Sequence, residues 1–275
     1  MKRLLIPLAL LLLAACSPDT NKNAWLGYVE GEDAFIAAPQ SGWVARVAVR
    51  RGDAVKTGDL LFTLDDTNQA SARDQANAAI AVAQSQLAAA KANLVLAQKQ
   101  LARQANLLAE QAGTKQAYDV AKAGSDSAAA QVAQIEAQIA QSRASLTGAA
   151  YQLSERDVVA RTTGRVEDVY FRTGEYAPAM TPVVSVLSPE NIYVRFFVPE
   201  GQLAQVKLGQ RVAISCDGCA RTVQATITFI AQQEEFTPPV IFSIGSREKL
   251  VFKLEARIPG GIKLNPGQPV DVRPL

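Results

Sequence analysis

Chemically reactive residue types are few in this chain, and histidine is absent from all 275 residues. Without histidine the chain lacks the commonest general base and the commonest zinc ligand, and it cannot form a histidine-containing triad. Neither a GxGxxG nor a Walker A phosphate-binding pattern occurs in it. The sequence therefore predicts a protein that is not an enzyme, that uses no metal and no cofactor, and whose energy comes from a partner.

Two cysteines, Cys216 and Cys219, form a CxxC pattern among residues that favour strands. A zinc site would need further ligands, and neither histidine nor a second CxxC supplies them. A redox role would need the pair at a helix N-terminus, where a thiol pKa is lowered. In an oxidising compartment we expect a structural disulfide across a turn, with the redox pair as the alternative.

Adjacent carboxylates at Asp65-Asp66 and Glu234-Glu235 could suggest acid–base chemistry. Neighbouring residues in a strand point to opposite faces, so such a pair does not form a two-carboxylate active site. Asp65 and Asp66 are instead typical of a helix start, where side-chain oxygens accept hydrogen bonds from free backbone N–H groups. We predict no catalytic residues.

The first residues indicate export from the cytoplasm. Lys2 and Arg3 precede an apolar run, Leu4 to Leu13, which is too short to span a membrane but suits a signal peptide. Cys16 follows two alanines directly, as in a bacterial lipobox, which implies cleavage before Cys16 and its lipidation. We expect a periplasmic protein anchored by lipid to the inner membrane; an ordinary secretory signal cleaved at Ala15 is the alternative.

A long central segment, residues 67–156, is predicted to be helical. It contains no proline and is rich in alanine and glutamine. Apolar or small residues recur every seven positions before and after Gly113, as in a coiled coil. The first seam is Ile80, Leu87, Leu94, Leu101 and Leu108 with Ala83, Ala90 and Ala97; the second is Ser125, Val132, Ile139, Leu146 and Leu153 with Ala121, Ala128, Ile135, Ser142 and Ala149.

The two seams predict an antiparallel hairpin with its turn near Gly113 and Thr114. Helices of about 40 residues, rising 1.5 Å per residue, would form a rod of about 60 Å. A single long helix or a parallel dimer is the alternative.

The segments on either side of this hairpin resemble each other. Ala38–Val44 aligns with Ala160–Val166, and the same offset pairs Gly52 with Gly174. Both segments alternate apolar residues between turn signals, so each predicts about four short strands. Neither is long enough to bury a core alone, and we expect the two to combine into one β-sandwich. Beyond Pro189 further strands predict a β-barrel with a short helix at Pro199–Leu208.

This order of parts resembles the membrane fusion protein family, the HlyD-like periplasmic adaptors, and in particular those of ABC exporters. The resemblance implies an α+β, elongated, multi-module fold: a split biotinyl/lipoyl-like β-sandwich with an inserted coiled-coil hairpin, followed by a β-barrel. The domains would be a signal peptide at 1–15, a linker at 16–28, a composite lipoyl-like domain at 29–66 and 157–189, a hairpin at 67–156, and a barrel with a closing strand at 190–275. True carrier domains bear a cofactor on a lysine at a turn between their two halves. In this chain the inserted hairpin would occupy that place, so no cofactor is expected.

The resemblance also assigns residues at the hairpin tip. Adaptors that dock on TolC-like channels carry an arginine, a leucine and a serine at spacings that Arg103, Leu107 and Thr114 match, with threonine in place of serine. The alternative is that Arg103 is a solvated surface residue, Leu107 flanks the seam and Thr114 caps a helix.

The expected function is that of a periplasmic adaptor in a tripartite efflux or secretion system. Its partners would be an inner-membrane transporter of the ABC type, a TolC-like outer-membrane channel, other copies in a ring, and the membrane itself. The scattered charges and the net charge of +2 do not favour nucleic acid as a partner. The alternatives are an adaptor of a proton-driven pump, a structural envelope lipoprotein, and a carrier domain of a biotin or lipoyl enzyme.

Overall fold

The computed structural model describes residues 24–217, 219, 222–236, 250–259 and 264–275. The predicted signal peptide and lipidation site, Cys16, lie outside these residues. The chain divides into two compact units. The hairpin unit is Phe35–Ser185, and the barrel unit comprises the residues up to Ala34 together with Val186–Leu275.

Three α-helices, one 3-10 helix (Pro189–Asn191) and fourteen strands are found in the described residues. The helices are α1 (Thr67–Ala109), α2 (Lys115–Ser154) and the short α3 (Glu200–Leu203). The strands before α1 are β1 (Trp25–Gly31), β2 (Ala34–Ala37), β3 (Gly42–Val47), β4 (Ala54–Val55) and β5 (Leu60–Leu64). Those between α2 and α3 are β6 (Asp157–Val159), β7 (Gly164–Val169), β8 (Tyr176–Ala177), β9 (Pro182–Leu187) and β10 (Ile192–Pro199). The last four are β11 (Arg211–Ser215), β12 (Val223–Phe236), β13 (Leu250–Arg257) and β14 (Pro269–Pro274).

Helices α1 and α2 form the predicted antiparallel hairpin. Every residue of the two predicted seams is buried or half-buried, while most residues between them are exposed. The centre of the interface is a cluster of Ala83, Ala90, Val132, Ile135 and Ile139. By length and composition alone α1 could cross a membrane. Some of its apolar residues lie in the seam with α2, whereas Val82, Val95 and Leu96 are exposed.

Two four-stranded sheets make up the rest of the hairpin unit, ordered β2-β9-β7-β4 and β6-β5-β3-β8. Each sheet contains strands from before and after the hairpin, as the sequence similarity of the two segments predicts. Their buried side chains include Val44, Leu61, Phe62, Val166 and Val183. The hairpin is therefore an insertion between two halves of a single β body.

The backbone hydrogen bonds of the two halves are reciprocal. The amide of Val44 donates to the carbonyl of Glu175 at 2.8 Å, and the amide of Val166 donates to the carbonyl of Asp53 at 2.9 Å. Likewise Gly52 donates to Val166 and Gly174 donates to Val44, each at 2.8 Å. These residues correspond under the sequence offset that relates Val44 to Val166, so the repeat is also a repeat of three-dimensional contacts.

The barrel unit is a closed barrel in the order β1-β10-β13-β12-β11-β14. Its β1 corrects the expectation of a linker up to residue 28, because Trp25–Gly31 pairs with both β10 and β14. Without β1 these two strands would leave unpaired backbone groups at an open edge. Trp25 and Val29 of β1 point into the core.

Strand β1 passes so close to β10 in the barrel that one of its positions, residue 27, must be glycine. A Cβ added to Gly27 would lie 2.5 Å from the carbonyl oxygen of Arg195 and 2.7 Å from the Cβ of Phe196.

Helix α3 lies where the sequence predicts a short helix, and Gln202 there accepts a hydrogen bond of 2.6 Å from the indole of Trp25.

Candidate functional site

The hairpin turn is the candidate docking site, and Thr114 begins its second helix. The Thr114 hydroxyl accepts a hydrogen bond of 3.1 Å from the amide of Ala117, as an N-cap residue does. The capping role that the sequence leaves open for Thr114 is therefore its role in the structure. Its O–H can still donate to a partner, since a hydroxyl both accepts and donates.

Leu107 supports the turn from below. The amide of Ala112 donates to the carbonyl of Leu107 at 2.8 Å, which closes the end of α1. A Cβ added to Gly113 would lie 3.1 Å from the Cβ of Leu107. Leu107 is half-buried, so part of its side chain packs within the turn and part remains accessible.

Arg103 lies about two helical turns before the hairpin turn and is exposed. Its side chain and that of Thr114 line one open groove of about 790 Å³ on the side of the hairpin. Val120 is also in this groove and is 65% exposed. The structure thus brings Arg103 and Thr114 together on one surface, and their role in docking stays a prediction.

The root of the hairpin, where α1 begins and α2 ends, contains a residue that the sequence analysis missed. Arg156 follows α2 directly and is only 8% exposed. Its Nη1 donates a hydrogen bond of 2.9 Å to the carbonyl of Ser41, whereas its Nε has no partner among the described residues. Because Arg156 stands between Glu155 and Asp157 in the sequence, it resembles an ordinary surface arginine, and no local pattern could have marked it.

The start of α1 is stabilised by Asp65 and not by the N-cap residue Asp66. The Asp65 carboxylate accepts a hydrogen bond of 3.0 Å from the amide of Thr67, whereas Asp66 makes no side-chain capping bond. Hydrogen bonds from Thr67, with a smaller contribution from the charge of Arg156, hold the pKa of Asp65 below its ordinary value. Both helix ends at the root are therefore tied to charged side chains.

A second polar cluster lies in the barrel unit. Arg195 bonds to Glu30 at 2.7 Å and to Glu255 at 3.0 Å, which links β10 to its two neighbouring strands. Tyr193 donates to Glu30 at 2.6 Å, and burial together with this carboxylate raises the Tyr193 pKa. All charges in this cluster are paired, which is the pattern of a structural network.

The two cysteines of the CxxC lie at the end of β11. Cys216 and Cys219 form a disulfide with their Cα atoms 5.2 Å apart. The amide of Cys219 donates to the carbonyl of Cys216 at 3.0 Å, and Gln268 donates to the Cys216 sulfur at 3.2 Å. The surroundings are strand and turn, not a helix N-terminus.

Known proteins resemble this chain in its helical hairpin and in its overall fold. Residues 79–155 match the family model described as RND MFP, alpha-helical hairpin domain. A membrane protein from the asrC 5′ region of Acidithiobacillus ferridurans is 30% identical over 112 residues, which are 40% of this chain and 33% of that relative. YdhJ, an uncharacterized protein of Escherichia coli K12, is 26% identical over 206 residues, 75% of this chain and 67% of that protein. The chain thus matches only about a third of the length of the first of these relatives.

Two solved structures share the fold over most of this chain. MacA from Actinobacillus actinomycetemcomitans has a TM-score of 0.71 at 21% identity, covering 92% of this chain and 78% of that one. The membrane fusion protein Spr0693 from Streptococcus pneumoniae R6 has a TM-score of 0.60 at 19% identity, covering 92% of this chain and 98% of that one.

The fold of this chain is therefore that of a membrane fusion protein. The match of residues 79–155 to the hairpin model and this shared fold agree with the resemblance found in the sequence.

Proposed function

We propose that the protein is a non-catalytic periplasmic adaptor of a tripartite efflux or secretion system. It would link an inner-membrane transporter to a TolC-like outer-membrane channel. The observation that carries this proposal is the hairpin of α1 and α2, inserted between two halves of one β body and ending in a capped turn. Such a rod of about 60 Å suits a protein that reaches a partner at a distance.

The docking residues in this proposal are Arg103, Leu107 and Thr114. Arg103 and Thr114 share a groove beside the turn, and Leu107 lies half-buried under it. One such contact is small, so several copies in a ring would add weak contacts into stable binding. Lipidation of Cys16 would hold each copy at the inner membrane and raise its local concentration there.

An ABC exporter is the proposed inner-membrane partner. The support is that Glu234–Pro239, followed by Lys249–Phe252, resembles adaptors of ABC exporters in sequence. Residues 237–249 lie outside the described residues. An ATP-driven partner would also supply the energy that a chain without a phosphate-binding loop needs from elsewhere.

The second candidate is an adaptor of a proton-driven pump. The observation that favours it is the RND label of the family model that matches residues 79–155. The fold does not separate the two candidates. It comprises the hairpin and the β parts of the adaptor, and it does not include the pump.

Cross-linking in native membranes followed by affinity purification separates these candidates. We expect a membrane ATPase and an outer-membrane channel to be recovered with the protein. Recovery of a proton-driven transporter would replace the ABC assignment with the second candidate. Recovery of neither class of transporter would overturn the adaptor role and favour a structural lipoprotein.

A further inference from the structure

The disulfide of Cys216 and Cys219 is not needed to hold β11 in the barrel. The two cysteines are three positions apart, so their bond closes a very short loop and removes little freedom from the unfolded chain. The last residues of β11 are paired on both sides, Ile214 with β12 and Ser215 with β14. These backbone pairs do not depend on the bond between the sulfurs. The barrel can therefore keep its fold when the disulfide is reduced.

A hydrogen-bond donor is fixed against one of the two sulfurs. The side-chain amide of Gln268 donates to the Cys216 sulfur at 3.2 Å. The backbone of Gln268 is held in place, because its carbonyl accepts from the amide of Val29 at 2.9 Å and its amide donates to the carbonyl of Asn265 at 3.1 Å. A disulfide sulfur is a weak acceptor, whereas a thiolate accepts a stronger, charge-assisted hydrogen bond. Gln268 therefore stabilises the reduced pair more than the oxidised pair.

The sulfur that Gln268 contacts is also the one beside an open groove. Cys216 lines a groove of about 260 Å³ together with residues of β1 and β14. Cys216 is half-buried, and Leu26 in the same groove is 74% exposed. Cys219 is not among the described residues that line this groove. A thiol of another molecule would therefore reach the disulfide at Cys216.

Two carboxylates give the groove its charge. Asp217 and Asp271 line it beside Cys216. Negative charge close to a thiolate disfavours that thiolate, so the two carboxylates act against Gln268. The same charges attract a partner that carries positive charge near its own thiol. The groove thus suits a protein segment with a cationic residue beside its cysteine.

We propose that Cys216 and Cys219 form a thiol–disulfide exchange site that is reduced by a dithiol protein of the compartment in which this chain resides. Gln268 is the positioning residue of this site, and it supplies the N–H donor that a helix N-terminus supplies at other CxxC sites. Of the proposed function, the site needs only the export of the chain and neither pump nor channel.

The exchange takes place in two steps at Cys216. First, a thiolate of the partner attacks the Cys216 sulfur, the bond to Cys219 breaks, and Cys219 leaves as a thiolate that takes up a proton. Second, the partner's other thiolate attacks the partner's own sulfur in the mixed disulfide, and Cys216 leaves as a thiolate that accepts from Gln268. The partner loses two electrons and becomes a disulfide, while Cys216 and Cys219 gain two electrons and two protons.

Equilibration of the full chain, purified in detergent, with glutathione buffers measures how readily the pair is reduced. Trypsin releases both cysteines in one peptide, residues 212–221, so alkylation and mass spectrometry count their thiols separately from Cys16. In about 10 mM reduced and about 0.1 mM oxidised glutathione, more than half of the pair should be reduced, whereas a structural disulfide stays oxidised. Circular dichroism should show the same fold in both states. A pair that stays oxidised, or a barrel that unfolds on reduction, would overturn the proposal.

Substitution of Gln268 tests the donor in the same assay. Gln268→Met keeps the length of the side chain and removes its N–H groups, so the equilibrium should move about tenfold towards the disulfide. Gln205→Met replaces an exposed glutamine outside the groove and should leave the equilibrium unchanged. A shift of equal size in both variants, or none in Gln268→Met, would contradict the exchange site.

Single-cysteine variants test which sulfur reacts. Cys219→Ser leaves Cys216 as the free thiol, and Cys216→Ser leaves Cys219. Iodoacetamide is uncharged, and at pH 7 it should alkylate Cys216 at least about tenfold faster than Cys219. Adding Gln268→Met to Cys219→Ser should remove most of this difference. Equal rates for the two thiols, or a faster Cys219, would reject Cys216 as the exchanging sulfur and with it the proposed site.

Discussion

Arg156 donates a hydrogen bond of 2.9 Å to the carbonyl of Ser41, a residue 115 positions earlier in the chain. The contact joins the end of α2 to the residue before β3, so it ties the hairpin to the β half that precedes it. A Cβ on Gly42 would lie 2.6 Å from the Arg156 Nη1, so a larger residue there would displace this end of the arginine side chain.

We predict that Arg156→Met lowers the free energy of unfolding by about 1–3 kcal/mol, because the fold would lose a hydrogen bond donated by a charged, buried side chain. Chemical denaturation followed by circular dichroism measures the change. The control is Arg161→Met, which replaces an exposed arginine and should change stability little. If the two variants are equally stable, Arg156 is not a structural tie.

The Thr114 cap gives a second prediction, in which one position is changed in two ways. Thr114→Ser keeps the hydroxyl that accepts from Ala117 and should leave stability nearly unchanged. Thr114→Ala removes it and should destabilise the protein by about 1 kcal/mol. Urea denaturation of the three proteins gives the comparison, and equal loss in both variants would show that the hydroxyl is not the stabilising group.

Arg103 carries the prediction that concerns transport. Arg103→Glu should abolish efflux of a pump substrate while circular dichroism and thermal stability stay unchanged, because the side chain is exposed. Lys99→Glu, one helical turn earlier and equally exposed, makes the same charge change and should retain efflux. Efflux at the unaltered level in the Arg103→Glu strain would remove Arg103 from the docking site.

Asp65 gives a prediction on pH. Its pKa in the folded protein lies below the ordinary value of 3.8, so its charged form stabilises the fold. This contribution is present above pH 3.8 and is lost as the pH falls through the folded pKa. We therefore expect Asp65→Asn to lower the melting temperature at neutral pH, with the difference from the unaltered chain shrinking below about pH 4.

Thermal melts between pH 3 and pH 7 check this, with Asp119→Asn as a control. Asp119 is exposed and lies in the second turn of α2, away from the hairpin root. A difference in melting temperature that is independent of pH would assign the effect of Asp65→Asn to shape and not to charge.

The tertiary structure corrects or completes the sequence analysis where contacts are distant. Residues 16–28 were expected to form a linker, but β1 begins at Trp25 and is stable only when it pairs with β10 and β14, about 165 and 240 residues later in the chain. Arg156 looked like a surface residue because its partner Ser41 is equally remote. Leu107 was expected to be available for docking, and its packing under Gly113 depends on how the turn closes.

Periodic features needed no tertiary information. A seven-residue seam and an internal repeat can be recognised from the order of the residues alone. The buried side of a helix or strand follows from the local spacing of its apolar residues. The sequence alone therefore determined the hairpin, the split β body and the resemblance to membrane fusion proteins. Only the tertiary structure decided how the barrel closes and which charged side chain ties down the base of the hairpin, since these depend on residues that meet only after the chain has folded.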